Sequence, residues 1–174
     1  HHIGRDCYVV LGIAAASTSR LSLYPVTSNT VTRHPLVLAA LANSLAEFAP
    51  RRTCITLGPG FLSVEAAGES RATIDDLRRA VRAIRALLAG ETAEFKGVPV
   101  RLRNHPSGKL PVLLTASGPR LLELAGEVAD GAVMLVGLDP QMVAAARRHL
   151  AAGAERAGRN PKDLLEIFVT PIAV

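Results

Sequence analysis

Short apolar runs alternate with longer amphipathic stretches along most of this sequence. The short runs are rich in Val, Ile and Leu, which is typical of strands buried on both faces. The longer stretches repeat apolar residues at the spacing of a helix with one buried side. The pattern predicts strands over residues 21–27, 53–57, 111–114, 132–136 and 165–170, and helices over residues 6–19, about 35–48, about 73–89, from Pro119 onwards, and about 140–157.

The order of these elements is a helix, then strand and helix four times, then a strand. Such alternation predicts an α/β fold with a parallel sheet of about five strands. Residues 61–70 are predicted to be irregular, and residues 92–110 to form a hairpin-like excursion with a glycine turn. A sheet of this kind is either an open, doubly wound sheet or part of a (β/α)8 TIM barrel. Because the sequence starts on a helix and stops on a strand, we expect an incomplete barrel within one domain over residues 1–174.

The turn from the 111–114 strand into the next helix is the most informative local feature. The strand breaks at Ser117-Gly118-Pro119, and the helix begins at once. The first backbone N–H groups of a helix have no partner within the helix, and the helix dipole favours negative charge there. This turn therefore predicts an anion site, such as one for a cofactor phosphate. The alternative is an ordinary strand-to-helix turn that binds nothing.

Composition and charge narrow the classes of function. The 174 residues carry a formal charge of +5, but the arginines are scattered and aromatic residues make up only 3%, so nucleic-acid binding is not expected. No apolar run is long enough to cross a bilayer, and no membrane association is expected. Cys7 and Cys54 lack metal-ligand spacing and indicate small buried thiols in a reducing cytoplasm. The charged residues of the 73–89 helix indicate a solvated face.

Three motifs in this order resemble the bacterial luciferase-like superfamily of flavin- and deazaflavin-dependent oxidoreductases. They are Arg33-His34-Pro35 before an Ala-rich helix, Leu57-Gly58-Pro59-Gly60 after a strand, and residues 116–131 (ASGPRLLELAGEVADG). Within the superfamily they most resemble the branch of methylenetetrahydromethanopterin reductase. The resemblance implies a TIM barrel that binds coenzyme F-420 or FMN at the carboxyl ends of its strands. Family members are longer, so the resemblance also implies that the first two strands and the last one lie outside this sequence.

The resemblance also implies positions for the cofactor. It places cofactor contacts at Pro25, Val26, Ser28, Ala116, Ser117, Gly118 and Val133. In the family a non-prolyl cis peptide lies against the ring, and it falls near Pro25-Val26 here. Two positions depart from the family: Leu138 replaces a basic residue that some relatives offer to the phosphate, and Phe61 replaces an acidic one. No side chain is assigned as a catalytic acid or base.

Several other polar residues have a structural interpretation that we favour over a functional one. His34 is expected to cap or pack at a helix start, and Arg33 to form an ion pair. Asp130 is expected to turn the chain into a strand, and His105 and His149 to lie at the surface without a metal. The glycines of Gly58-Pro59-Gly60 fit a tight loop and a close approach to a cofactor ring equally well.

The function implied by the resemblance is hydride transfer between the C5 of a deazaflavin, or the N5 of FMN, and a small organic substrate. One alternative is an FMN-dependent monooxygenase of the same superfamily. Another, of a different class, is a non-catalytic chain that acts in binding or assembly, and an open-sheet nucleotide binder is a further alternative. Apolar faces left by absent strands favour association into a homo-oligomer.

Overall fold

The computed structural model describes residues 4–106 and 108–170 of the chain. Its helices are α1 (Cys7–Ser17), α2 (Pro35–Phe48), α3 (Leu62–Ala66), α4 (Ile74–Leu88), α5 (Pro119–Val128) and α6 (Pro140–Arg156), with a 3-10 turn at Pro161–Asp163. Its strands are β1 (Ser28–Asn29), β2 (Ile55–Gly58), β3 (Ala93–Phe95), β4 (Val98–Val100), β5 (Val112–Ala116), β6 (Gly131–Met134) and β7 (Leu165–Phe168). Five strands form one sheet in the order β1-β2-β5-β6-β7.

The predicted α/β fold with a five-stranded parallel sheet is confirmed. The strand pairs β1–β2, β5–β6 and β6–β7 are all parallel. All residues of β2 and of β6 are buried, so β6 reads as an unbroken apolar run, and β2 contains one buried polar residue, Thr56. The chain divides into two compact units, of which the first ends at Val112 and the second begins at Leu113.

The first unit packs α2 and α4 over a core of large aliphatic side chains. The fully buried members of this core are Leu38, Ile55, Leu57, Leu77, Ile84 and Leu87. Helix α4 begins at a capping box, as the sequence predicts: the Thr73 hydroxyl accepts from the Asp76 N–H at 3.1 Å, and the Asp76 carboxylate accepts from the Thr73 N–H at 2.9 Å. Hydrogen bonds to its carboxylate from the Thr73 hydroxyl, at 2.6 Å, and then from the Thr73 N–H lower the pKa of Asp76.

The predicted excursion is an antiparallel hairpin of β3 and β4. Its two-residue turn is formed by Lys96 and Gly97, which have φ angles of +52° and +81°. Two positive φ angles in succession are typical of the tight turns that match the twist of a hairpin. The hairpin contacts α4 and, through Phe95, the start of α2.

The second unit packs α5 on α6 through two glycines. A Cβ at Gly153 would lie 1.9 Å from the Glu123 carbonyl oxygen, and one at Gly126 would lie 2.0 Å from the Leu150 carbonyl oxygen. The two helix backbones therefore approach each other more closely than any larger residue allows.

Two predictions about elements are wrong. The strand expected over residues 21–27 is reduced to one bridge, between Leu23 and Thr53, followed by β1 at Ser28–Asn29. Pro25 lies between them, and proline has no N–H to continue a ladder. The segment 61–70, expected to be irregular, contains α3.

Candidate functional site

The segment Pro25–Ser28 at the start of β1 carries three of the predicted cofactor contacts. Its peptide bond between Val26 and Thr27 is cis, one bond beyond the position given by the resemblance. Pro25 and Ser28 are buried, whereas the Val26 side chain is 51% exposed. Within this segment, Val26 is therefore the apolar side chain that a ligand can reach.

The hydroxyl of Ser28 is held inside the first unit. Its Oγ lies 2.9 Å from the Tyr8 Oη, and both residues are buried. Burial raises the pKa of Tyr8 to about 12, so the phenol stays neutral over the whole physiological range. Either hydroxyl can serve as the donor in this bond.

Arg33 and Asp6 enclose the same tyrosine. The Arg33 guanidinium lies 5.2 Å from the centre of the Tyr8 ring and forms an ion pair with Asp6. Asp6 in turn caps α1 by accepting from the Tyr8 N–H at 2.9 Å. The predicted role of Arg33 as an ion-pair partner is confirmed.

Thr56, in the middle of β2, also contacts the segment. Its side chain is fully buried, and its hydroxyl donates to the Pro25 carbonyl oxygen. The register of the sheet also pairs Ser28 with Leu57 and Asn29 with Gly58. The backbone of the segment is thus tied to β2 at both of its ends.

His34 begins α2, as predicted. Its Nδ1 accepts from the Leu36 N–H at 3.2 Å, and its ring meets the Phe95 ring edge-on, with centroids 4.5 Å apart. These contacts occupy the imidazole in capping and packing, which is the interpretation favoured from the sequence.

The loop Gly58-Pro59-Gly60 is shaped by contacts within the first unit. Gly60 has a φ of +86°, and a Cβ there would lie 2.2 Å from a Val64 methyl group. Both facts require glycine at this position, so a tight loop is sufficient to explain it. Phe61 follows with a 60% exposed side chain, and the Arg71 guanidinium lies 3.7 Å from the centre of its ring.

The second unit carries the predicted anion site at the start of α5. Ser117 and Gly118 are exposed, and Gly118 provides no side-chain cap for the helix. By contrast, side chains cap the other long helices in the described part of the chain: Asp6, His34, Thr73 and Asp139. The first N–H donors of α5, at Arg120 and Leu121, therefore have no capping oxygen from Gly118.

Residues next to this turn are held by the sheet. Ala116 is buried and pairs with Met134, and its carbonyl accepts from the Leu135 N–H at 3.2 Å. Thr115 pairs with Val133, and within the described residues its buried hydroxyl makes no hydrogen bond. Val133 itself is fully buried, so any apolar contact that its side chain makes lies inside the protein.

The remaining polar residues of the second unit have structural surroundings. Asp130 is buried, and its carbonyl accepts from the Leu165 N–H at 2.9 Å where the chain enters β6. Glu123 accepts from Arg156 at 2.7 Å and lies 3.1 Å from the His149 Nδ1. Arg156 and then His149 lower the pKa of Glu123. Leu138, where the resemblance to the family implies a basic residue in some members, is 63% exposed.

Each predicted contact thus falls in one of two local groups. Pro25, Val26 and Ser28 belong to the first unit, whereas Ala116, Ser117, Gly118 and Val133 belong to the second. Tyr8 and Thr56 support the first group but were not singled out from the sequence. Among the described residues, no group of His, Cys, Asp and Glu side chains could hold a metal ion.

Comparison with known proteins finds relatives along nearly the whole chain. The sequence model of the family described as "Luciferase-like monooxygenase" matches residues 1–174. A 5,10-methylenetetrahydromethanopterin reductase of Methanolobus tindarius is 34% identical over 170 residues, which cover 94% of this chain and 52% of that protein. An F-420-dependent glucose-6-phosphate dehydrogenase of Microbacterium testaceum is 29% identical over 177 residues, covering 92% of this chain and 52% of that protein.

The fold of this chain also matches that of a solved reductase structure. The coenzyme F-420-dependent tetrahydromethanopterin reductase of Methanopyrus kandleri aligns with a TM-score of 0.80 and 25% identity, covering 96% of this chain and 55% of that one. The predicted incomplete (β/α)8 barrel is thereby confirmed. The chain spans about half the length of the relatives it matches. No helix in the described ranges has the length and apolar content to cross a membrane.

Proposed function

Since this chain belongs to the luciferase-like monooxygenase family, we propose that it is an oxidoreductase that binds coenzyme F-420 or FMN and acts on a small organic substrate. The names of its relatives favour the deazaflavin, because both the reductases and the sugar-phosphate dehydrogenases depend on coenzyme F-420 by their descriptions. When bound, either cofactor supplies hydride transfer, and the protein supplies orientation and a dry pocket.

The observation that carries this proposal is the open start of α5. A phosphate-bearing cofactor needs hydrogen-bond donors that the protein itself leaves unused. The exposed Ser117-Gly118 turn, without a side-chain cap, offers such donors at the positive end of a helix of ten residues. We assign the phosphate-bearing part of the cofactor to this turn, with Ala116 and Val133 as its apolar neighbours.

The first unit would supply a surface for the ring. Val26 is half-exposed next to the buried Pro25, and an apolar side chain in this position can pack against a planar ring. Ser28 lies behind it with its hydroxyl held by Tyr8. We assign Pro25, Val26 and Ser28 to ring contact, with their role limited to binding and orientation.

The residues of the site do not provide an obvious acid. Phe61 occupies the position where some relatives carry a carboxylate, and its exposed ring stacks under Arg71. We therefore propose that any proton needed by the substrate comes from another group, and that Phe61 adds apolar surface where the substrate enters.

Titration with both cofactors tests the proposal. The absorbance of bound deazaflavin lies at shorter wavelength than that of FMN, so one spectrum identifies which cofactor is retained. Binding of coenzyme F-420, with its reduction under anaerobic conditions by a donor substrate, is the expected result. Retention of FMN with oxygen consumption would instead support a monooxygenase, as the family description suggests. If neither cofactor binds, the enzyme proposal for this chain is wrong and a binding or assembly role replaces it.

We also propose that the protein works in the cytoplasm and as a homo-oligomer. Cys7 and Cys54 are free and half-buried, and burial raises the pKa of both thiols, that of Cys54 to about 11. Unreactive free thiols suit a reducing compartment. The support for association is the apolar outer face of α1, with Val9 and Ile13 each 64% exposed.

A further inference from the structure

We propose that Tyr8 and Thr56 are positioning residues that hold the segment Pro25–Ser28 from two sides. The consequence for cofactor binding rests on the proposed function, whereas the anchoring of the segment can be tested without any cofactor. Neither residue contacts the proposed ligand. Thr56 acts through the Pro25 carbonyl, with the Thr27 hydroxyl oxygen 3.3 Å away, and Tyr8 acts through the Ser28 hydroxyl.

Thr56 is suited to anchor the first end of the segment. It lies between Ile55 and Leu57, whose side chains are fully buried, so the strand around it cannot shift without disturbing the core. A threonine side chain also has few rotamers, which keeps its hydroxyl aimed at the Pro25 carbonyl. Because Pro25 has no N–H, its carbonyl is the one backbone group by which β2 can hold this residue.

Tyr8 is suited to anchor the other end. Its backbone is fixed by the Asp6 cap of α1, and its ring is covered by the Arg33 guanidinium. The Asp6–Arg33 ion pair links these two restraints to each other. The Tyr8 hydroxyl therefore reaches Ser28 from a side chain that is itself immobilised, and the bond of 2.9 Å is enclosed on all sides.

Between the two anchors, Val26 is the most exposed residue of the segment. A segment that packs one apolar side chain against a ring binds the cofactor less tightly if its backbone is mobile, because conformational entropy is then lost on binding. The two anchors remove that freedom in advance. Loss of either hydroxyl should therefore weaken cofactor binding although no cofactor contact has been removed.

The test uses Tyr8→Phe and Thr56→Val, which delete one hydroxyl each and keep the shape of the side chain. The first readout is amide hydrogen exchange at Val26, Thr27 and Ser28 in the full chain without cofactor. We expect exchange there to rise about fivefold, the effect of one hydrogen bond of about 1 kcal/mol. The second readout is the dissociation constant for coenzyme F-420 or FMN, which we expect to rise by a similar factor.

Two control variants delete hydroxyls of the same kind elsewhere. Thr53→Val removes a buried hydroxyl at the start of the same strand region, which donates to the Ala49 carbonyl at 2.9 Å. Tyr24→Phe removes the other tyrosine hydroxyl of the chain. Both controls can lower the melting temperature, but neither should change exchange at Val26–Ser28. Thr56→Ser keeps the hydroxyl and should restore wild-type exchange, and Tyr8→Phe still tests the other anchor if Thr56→Val does not fold.

A double-mutant cycle separates an action through Ser28 from a general loss of packing. In a Ser28→Ala background, Tyr8→Phe should have no further effect on exchange or affinity, because the bond it would remove is already gone. The inference is overturned if amide exchange at Val26–Ser28 is as slow in both anchor variants as in Thr53→Val. It is also overturned if the effects of Tyr8→Phe and Ser28→Ala on exchange are additive. If the wild-type chain binds neither cofactor, the proposed function fails, while the exchange measurement still decides whether the anchors hold the segment.

Discussion

At the scale of single residues, the buried phenol of Tyr8 gives the chain a measurable sensitivity to alkali. Its pKa is raised from 10.0 to about 12 by burial. Below pH 10 the phenol is neutral in both the folded and the unfolded chain, so its contribution to the free energy of unfolding does not change with pH. Between these two values the unfolded chain releases the proton and the folded chain keeps it, so the free energy of unfolding falls as the pH rises.

We therefore expect urea denaturation of the wild type to show a steeper loss of stability above pH 10 than that of Tyr8→Phe. Other groups also titrate in this range, but they are common to both proteins and cancel in the difference. In a pH titration of the folded chain followed by tyrosinate absorbance, the phase at the highest pH should be absent from Tyr8→Phe. Identical slopes for the two proteins would show that Tyr8 is not buried in the neutral form.

The sequence predicts the roles of some of these residues but not of others, and the reason is physical. Arg33 and His34 precede a proline at a helix start, which restricts their possible roles, and their structural roles were predicted correctly. The bonds of Tyr8 to Ser28 and of Thr56 to Pro25 join residues 20 and 31 positions apart. A threonine in an apolar strand reads as an ordinary strand former, so its hydroxyl gave no signal.

At the scale of elements, the crossing of α5 and α6 depends on Gly153. Alanine in a helix is ordinarily more favourable than glycine by about 1 kcal/mol. Here the added Cβ would lie 1.9 Å from the Glu123 carbonyl oxygen, so the helices must separate. We expect Gly153→Ala to destabilise the chain by about 1–3 kcal/mol, the usual cost of overpacking.

Gly12 provides the matched control for this prediction. It also lies inside a helix, α1, but a Cβ there would have nothing within 4 Å. Gly12→Ala should raise the free energy of unfolding by up to about 1 kcal/mol. Chemical denaturation of both variants is the measurement, and a Gly153→Ala variant as stable as Gly12→Ala would refute the close crossing.

The alternation of strands and helices was predictable because buried parallel strands leave short, continuous apolar runs. The two failures have different causes. Helix α3 has five residues, too few to show a helical period, and the bond from the Ala72 N–H to the Pro59 carbonyl at 2.8 Å joins the residues on either side of it. The break at Pro25 has a local cause, because proline has no N–H to continue a ladder, but the apolar run around it masked this signal.

At the scale of the whole molecule, the outer face of α1 predicts association. This helix is apolar on all sides, which is typical of a helix buried in a larger structure. Its exposed residues include Val9, Val10 and Ile13. We expect the chain to form oligomers through this face. Ile13→Lys should shift the sedimentation of the protein towards the monomer. Val98→Lys, which changes an apolar exposed residue on the hairpin, should leave the sedimentation unchanged. A wild type that stays monomeric at every concentration would contradict this.

The central claim, that the start of α5 holds the phosphate-bearing part of the cofactor, is tested most directly by the affinity of Gly118→Asp. An aspartate there would cap the helix and place negative charge on the donors that we assign to the cofactor, and nothing lies within 4 Å to obstruct it.

The measurement is the dissociation constant of this variant for the retained cofactor, beside that of Gly118→Ala, which adds neither cap nor charge. We predict that Gly118→Asp keeps or raises the melting temperature and weakens binding about tenfold or more, equivalent to about 1.4 kcal/mol, while Gly118→Ala binds nearly as the wild type does. Unchanged affinity in a stably folded Gly118→Asp would contradict the account.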